Sequence, residues 1–204
     1  MIQLFIENPL AGLILALGLI ASITIHEFAH AIAADKLGDP TPRLQDRVTL
    51  NPLKHLDPIG TLMILFVGFG WGRAVEFDPY NLRNPRRDTA LIALAGPVSN
   101  IITALVLSVL LKTVAMPALF VLPILFTMQI SIMLAIFNLI PIHPLDGGKI
   151  LVGLLPEHLA SDWDKLMHQF GVWILLMLIL PIGGRSAVSV LISPVIQAVM
   201  QVLR

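Results

Sequence analysis

The chain has 204 residues, 56% of them hydrophobic and 13% charged, with zero formal net charge and no cysteine. Soluble domains carry about 25% charged residues, so this chain has too little polar surface for a globule in water and reads as an integral membrane protein. The neutral balance and the lack of a basic run exclude nucleic acid as a partner. The missing thiols exclude disulfides, thiolate metal sites and a cysteine nucleophile, so any bound metal must rest on His, Asp or Glu.

Residues 1–9 carry Glu7 but no Lys or Arg, unlike the positive n-region of a secretory signal peptide. One membrane domain, 1–204, is expected to fill the sequence. A helical span of the hydrocarbon core takes roughly 20 apolar residues. Residues 10–34 qualify and run out near Gly38, Asp39 and Pro40. Residues 43–57 are polar and turn-rich. Residues 58–71 are apolar and glycine-containing but short for a crossing. After a polar stretch with Pro79 and Pro85, residues 89–111 and 117–139 make two further spans. Residues 140–165 form a loop of Pro, Gly and charge with room for a short helix after Gly148. Residues 166–180 give a fourth span, and 186–203, interrupted by Pro194, a fifth span or an interfacial helix. The expected fold is an all-α polytopic bundle of about five helices, with a re-entrant or strand-like segment near 58–78.

Charge decides how 58–71 sits. If it dips in and returns, Lys36, Arg43, Arg47, Lys54, Arg73, Arg83, Arg86, Arg87, Lys149, Lys165 and Arg204 share one side, with Lys112 and Arg185 opposite. If it crosses, the bias vanishes. The positive-inside rule favours the first arrangement, with the loaded side cytoplasmic and the N-terminus outside.

The first span contains His26-Glu27-Phe28-Ala29-His30. Residues i and i+4 share a helix face one turn apart, so both imidazoles can meet one ion with Glu27 beside it. This HExxH arrangement binds Zn²⁺ through the histidines and uses the glutamate as general base. Such patterns also arise by chance, and a lone core histidine is usually just hydrogen-bonded. Here, ionisable groups at bilayer depth each cost a few kcal/mol, which argues against filler. Zinc needs a third protein ligand and one open position. Asp146 is the only acidic residue between Asp88 and Glu157. It follows the third long span, and only the re-entrant topology puts it on the same side as the end of the first. If the first helix ends near Ala34, the histidines lie about 6–12 Å from its end.

Together these residues resemble the site-2 protease family of intramembrane zinc metalloproteases. The first signature reads His26-Glu27-Phe28-Ala29-His30. The second, Asn…Pro…Asp-Gly, runs from Asn138 through Pro141 and Pro144 to Asp146-Gly147. A third family-like element is Ala95-Gly96-Pro97-Val98-Ser99-Asn100, and the stretches 38–52 and 57–60 look like the small bacterial and archaeal members, without PDZ or CBS domains. The resemblance covers roughly residues 23–151. It implies one Zn²⁺ on His26, His30 and Asp146, water activation by Glu27, and a substrate-backbone or oxyanion contact for Asn138, which could equally bridge spans. Asn100 reads as an interhelical hydrogen bonder. His143 could approach the metal but reads as a loop residue, His55 and Asp57 as loop organisers, His158 and His168 as surface positions. The implied substrates are single-span membrane proteins, reached from the lipid bilayer of the cell membrane and cut towards its cytoplasmic side. An extended edge near 67–75 would suit an unwound substrate by β-addition. A metal transporter or a catalytically silent binding protein are the competing classes. Against them stand the single ionisable cluster, the absence of a visible repeat and the retained Glu27.

Overall fold

The computed structural model describes residues 6–67, 70–182 and 184–204. It is a helical bundle. Helix α1 (Pro9–Leu37) starts at Asn8, whose side chain accepts from the Ala11 N–H, and ends at Gly38, whose φ of 114° turns the chain left-handed. A one-turn helix α2 (Thr41–Leu44) and the short helix α3 (Pro58–Val67) follow, then α4 (Pro85–Thr113), α5 (Ala118–Asn138), α6 (Asp146–Leu154), α7 (Glu157–Ile179) and α8 (Ala187–Leu203). The described residues include one small antiparallel hairpin, β1 (Pro181–Ile182) with β2 (Arg185–Ser186).

Three helices, α1, α4 and α5, are long and apolar enough to cross a membrane. At 1.5 Å per residue, the 29 residues of α1 or α4 extend about 43 Å, beyond a hydrocarbon core of about 30 Å. Their packing is inverted relative to a water-soluble helix. Helix α1 buries Gly12, Gly18, Ser22, Thr24, His26, His30, Ala31 and Ala34 while exposing Leu10, Leu13 and Leu17. Small and polar residues inside with leucine outside is the pattern of helices solvated by lipid, where close backbone approach and interhelical hydrogen bonds hold the bundle. The buried Ser22–Ser131 hydroxyl pair, 2.9 Å apart, joins α1 to α5. At Gly18 a Cβ would come 2.9 Å from Thr127 Oγ1.

The remaining expected spans are modified. The stretch 166–180 forms the end of α7, whose first half carries Glu157, Asp162, Asp164 and Lys165, and α8 falls among the shorter apolar helices. Pro194 lies inside α8 without ending it. Pro97 is likewise inside α4, buried beside α1.

The re-entrant reading of 58–71 fits the structure. Leu56 and Gly72 form an antiparallel bridge, and the Arg73 N–H donates to the His55 carbonyl at 2.8 Å. The chain therefore leaves and returns at one level. Helix α3 has 10 residues, about 15 Å at helical rise, half a hydrocarbon core. Of the anticipated 67–75 edge, residues 68 and 69 lie outside the described residues. Residues 73–78 belong to no helix or strand, and Asp78 at their end has extended dihedrals.

Candidate metal centre

His26 and His30, one turn apart on the buried face of α1, point at the same place. Their Nε2 atoms are 3.1 Å apart, and they stand 3.1 and 3.2 Å from Asp146 Oδ2. The aspartate is the first residue of α6, so its carboxylate sits at the favourable end of the helix dipole. Sequence alone put it in a turn before a later helix. Gly147 is what allows the close seat: a Cβ there would collide with the carbonyls of Leu139 and Ile140. Helix α1 runs on to Leu37, so His30 and His26 lie about 10 and 16 Å from its end, deeper than an end at Ala34 implied.

A zinc ion fits this donor set. Two imidazole nitrogens and a carboxylate oxygen are the ligands of an open catalytic site. Ligands about 2.0–2.1 Å from a tetrahedral centre are roughly 3.3 Å apart, close to the observed 3.1–3.2 Å. His30 is set for the role because its Nδ1–H donates to the Ile92 carbonyl at 2.7 Å, leaving Nε2 as the lone-pair nitrogen. His26 Nδ1 faces the Asn100 amide nitrogen at 3.2 Å, while Asn100 Oδ1 is buried without a hydrogen-bond partner. Gly96 of α4 abuts the rings. Any Cβ there would overlap His30 Nε2 and Cε1 and come within 2.7 Å of His26 Cε1.

Glu27 lies beside the pair, its side chain 12% exposed. Oε2 accepts the Val75 N–H at 3.1 Å and is 3.9 Å from Arg47 Nη2. Arg47 is 2% exposed. It also donates to the carbonyls of Ala74, at 3.2 Å, and Arg73, stitching segment 73–78 to the loop that follows α2. Burial pushes its guanidinium pKa down, with Arg73 adding to that and Glu27 opposing it.

The other expected residues separate cleanly. Asn138 ends α5 with Nδ2 donating to the Leu134 carbonyl at 3.0 Å, outside the three-residue cluster. Asn100 does bond between helices, and its partner is His26. His143 stacks on His168, centroids 4.4 Å apart. Burial, then the neighbouring His168 and Lys149, hold the His143 pKa below its ordinary value. His55 donates to the Thr49 carbonyl, and Asp57 Oδ1 accepts the Gly60 N–H at the start of α3. Both are loop organisers. His158 is exposed and His168 pairs loosely with Asp164.

A His-x₃-His pair on a membrane helix, closed by a distant aspartate with a carboxylate alongside, has the geometry of a membrane metallohydrolase. Comparison with known proteins agrees. The sequence profile of peptidase family M50 matches residues 113–178, which includes Asn138 and Asp146. YwhC of Bacillus subtilis (strain 168), whose name describes a zinc metalloprotease, is 36% identical over 96% of this chain and 99% of its own length. The Rip2 proteins of Mycolicibacterium smegmatis and Mycobacterium tuberculosis (strain H37Rv), named in the same way, are 30% and 29% identical over 80% of this chain, which spans 65% of each. No solved structure matches. The chain belongs to peptidase family M50, the site-2 protease family, and is a zinc metalloprotease.

Proposed function

We propose that this zinc metalloprotease hydrolyses peptide bonds of transmembrane proteins within or near the cytoplasmic side of the cell membrane, using His26, His30 and Asp146 as metal ligands and Glu27 as general base. The observation that carries this reading is the convergence of three donor atoms from α1 and α6 inside a bundle of membrane-length helices, with a held carboxylate next to them. When bound, Zn²⁺ supplies a Lewis acid that lowers the pKa of a coordinated water and polarises a carbonyl. Glu27 takes the proton from the attacking water and returns it to the leaving amine. The Val75 N–H and Arg47 hold its carboxylate in place. Asn138, eight residues before Asp146, turns its amide towards the substrate backbone or developing oxyanion, releasing its bond to Leu134.

Substrate access is supported by the segment 73–78, whose Val75 and Phe77 line a cleft of about 550 Å³ together with Arg86, His143, Lys149 and His168. An unwound substrate strand can exchange its helical hydrogen bonds for those of an extended segment. The cytoplasmic side is supported by the Lys and Arg residues of the loops that follow α1, Lys36, Arg43, Arg47 and Lys54 among them.

Glu27→Gln tests the assignment. The expected result is one retained zinc with cleavage reduced by a factor of about 10²–10⁴, the usual worth of a general base. A proteomic comparison of membranes carrying wild type and Glu27→Gln should show uncut single-span proteins in the latter. Unchanged turnover in the variant would refute Glu27 as the base, and soluble-only substrates would refute the membrane assignment.

A further inference from the structure

We propose that Asn100 is a positioning residue that fixes His26 in the tautomer able to bind zinc, by accepting a hydrogen bond from His26 Nδ1–H through its amide oxygen. This rests on His26, His30 and Asp146 as the ligand set. A neutral imidazole carries one N–H. If His26 donates its Nε2 lone pair to the metal, its proton must sit on Nδ1 and needs an acceptor. His30 solves the same problem with the Ile92 carbonyl, a group that can only accept. His26 has Asn100 at Nδ1, 3.2 Å away.

Asn100 is completely buried, and its amide offers two ends. With Nδ2 at the ring, the amide donates to Nδ1. That selects the Nε2–H tautomer, which has no lone pair for an ion, and leaves Oδ1 buried without a partner. A half-turn about the last side-chain bond brings Oδ1 to Nδ1–H. It satisfies the buried acceptor and frees Nε2, while Nδ2 exchanges its contact with the ring for the place Oδ1 left, where no donor stood to repel it. Asn100 also sits one helical turn beyond Gly96, the residue that leaves space for both rings. Helix α4 thus both clears room for the imidazoles and orients one of them. The family-like element 95–100 acquires a function: glycine for room, asparagine for the proton.

The experiment is zinc affinity of the purified full chain in detergent, measured by competition with a chromophoric chelator, with helicity and monodispersity as folding controls. Asn100→Leu, close in volume and without an acceptor, should bind zinc about 10–100-fold more weakly, the usual effect of removing such an outer partner. Asn100→Asp keeps the acceptor and should stay within about threefold of wild type, or tighter. Wild-type affinity in Asn100→Leu overturns the proposal. So does an Asn100→Asp variant weakened as much as Asn100→Leu, because an essential amide donor would give that result. If Asn100→Leu does not fold, Asn100→Ala supplies the same comparison. Zinc loss in His26→Ala, His30→Ala and Asp146→Ala but not in Asn100→Leu would refute Asn100 alone. Zinc surviving in all three would refute the ligand set and this inference with it.

Discussion

The Val75 amide donates to Glu27 Oε2 at 3.1 Å, so the carboxylate beside the metal centre is aimed by the backbone of a segment 48 residues away. Val75 itself is buried, which fixes that amide. Hydrogen bonds to charged groups are worth about 1.5–3 kcal/mol. Val75→Pro, which removes the N–H, should therefore lower cleavage about 10–100-fold while zinc content stays at one per chain. Val75→Ala keeps the N–H and should lose far less. Equal losses in the two variants would mean that side-chain packing, and not the amide, positions Glu27.

Arg47 acts on the same carboxylate from the other direction. From the loop after α2 it holds the carbonyls of Arg73 and Ala74 while standing 3.9 Å from Glu27. Arg47→Met preserves much of the buried stem but none of the donors. Cleavage should fall by one to two orders of magnitude, with zinc stoichiometry unchanged. Arg47→Lys should recover only part of it, since a point ammonium cannot span two carbonyls as the planar fork does. Full activity in Arg47→Met, measured on a reconstituted single-span substrate, would remove Arg47 from the machinery.

Much of the site was readable from residues, and what was not has a common cause. His26, His30 and Asp146 announced themselves because ionisable side chains in apolar spans are rare and their spacing is helical. The return of 58–71 was legible in the distribution of Lys and Arg. By contrast, the partners of His30, Arg47 and Glu27 are backbone groups: the Ile92, Arg73 and Ala74 carbonyls and the Val75 amide. Every residue owns such groups, so no residue type marks them. The end of the first span near Gly38 was also legible, and α1 runs to Leu37 with Gly38 as its cap. Its last turn is three residues longer than the apolar stretch that closes at Ala34, with Asp35 held by Arg43 at 2.8 and 2.5 Å.

Asp39 organises the turn after α1. Completely buried, it accepts from Thr41 N–H and Oγ1 at 3.1 and 2.7 Å, from Asn81 Nδ2 at 2.8 Å and from the Asp78 N–H at 2.7 Å. Burial alone would raise its pKa, but the bonds from Thr41, Asn81 and the Asp78 amide outweigh that and hold it below the usual carboxylate range. A depressed folded value contributes stability above the unfolded pKa of about 3.9, lost as pH falls through the folded value. Asp39→Asn should destabilise the detergent-solubilised protein by about 1.5–3 kcal/mol at pH 7 and flatten the acid limb of its melting-temperature profile. An unchanged acid limb would assign that limb to other carboxylates.

Gly96→Ala places one methyl against both imidazoles. Overpacking a tight interior costs about 1–3 kcal/mol, and here the strain falls on His30 Nε2 and on the Cε1 edges of both rings proposed to hold zinc. The variant should keep its helicity and lose most of its zinc affinity, read out by chelator competition. Normal zinc binding with a lowered melting temperature would show that the rings yield elsewhere.

The bare backbone of Gly96 against the two rings has a use in interpreting other chains. A homologue can preserve every ligand and the adjacent glutamate and still be inert, if the position aligned with Gly96 has gained even a single carbon. Such a protein would pass a motif search as a working peptidase. Inspecting that one glycine is therefore an inexpensive way to tell a living centre from a fossil.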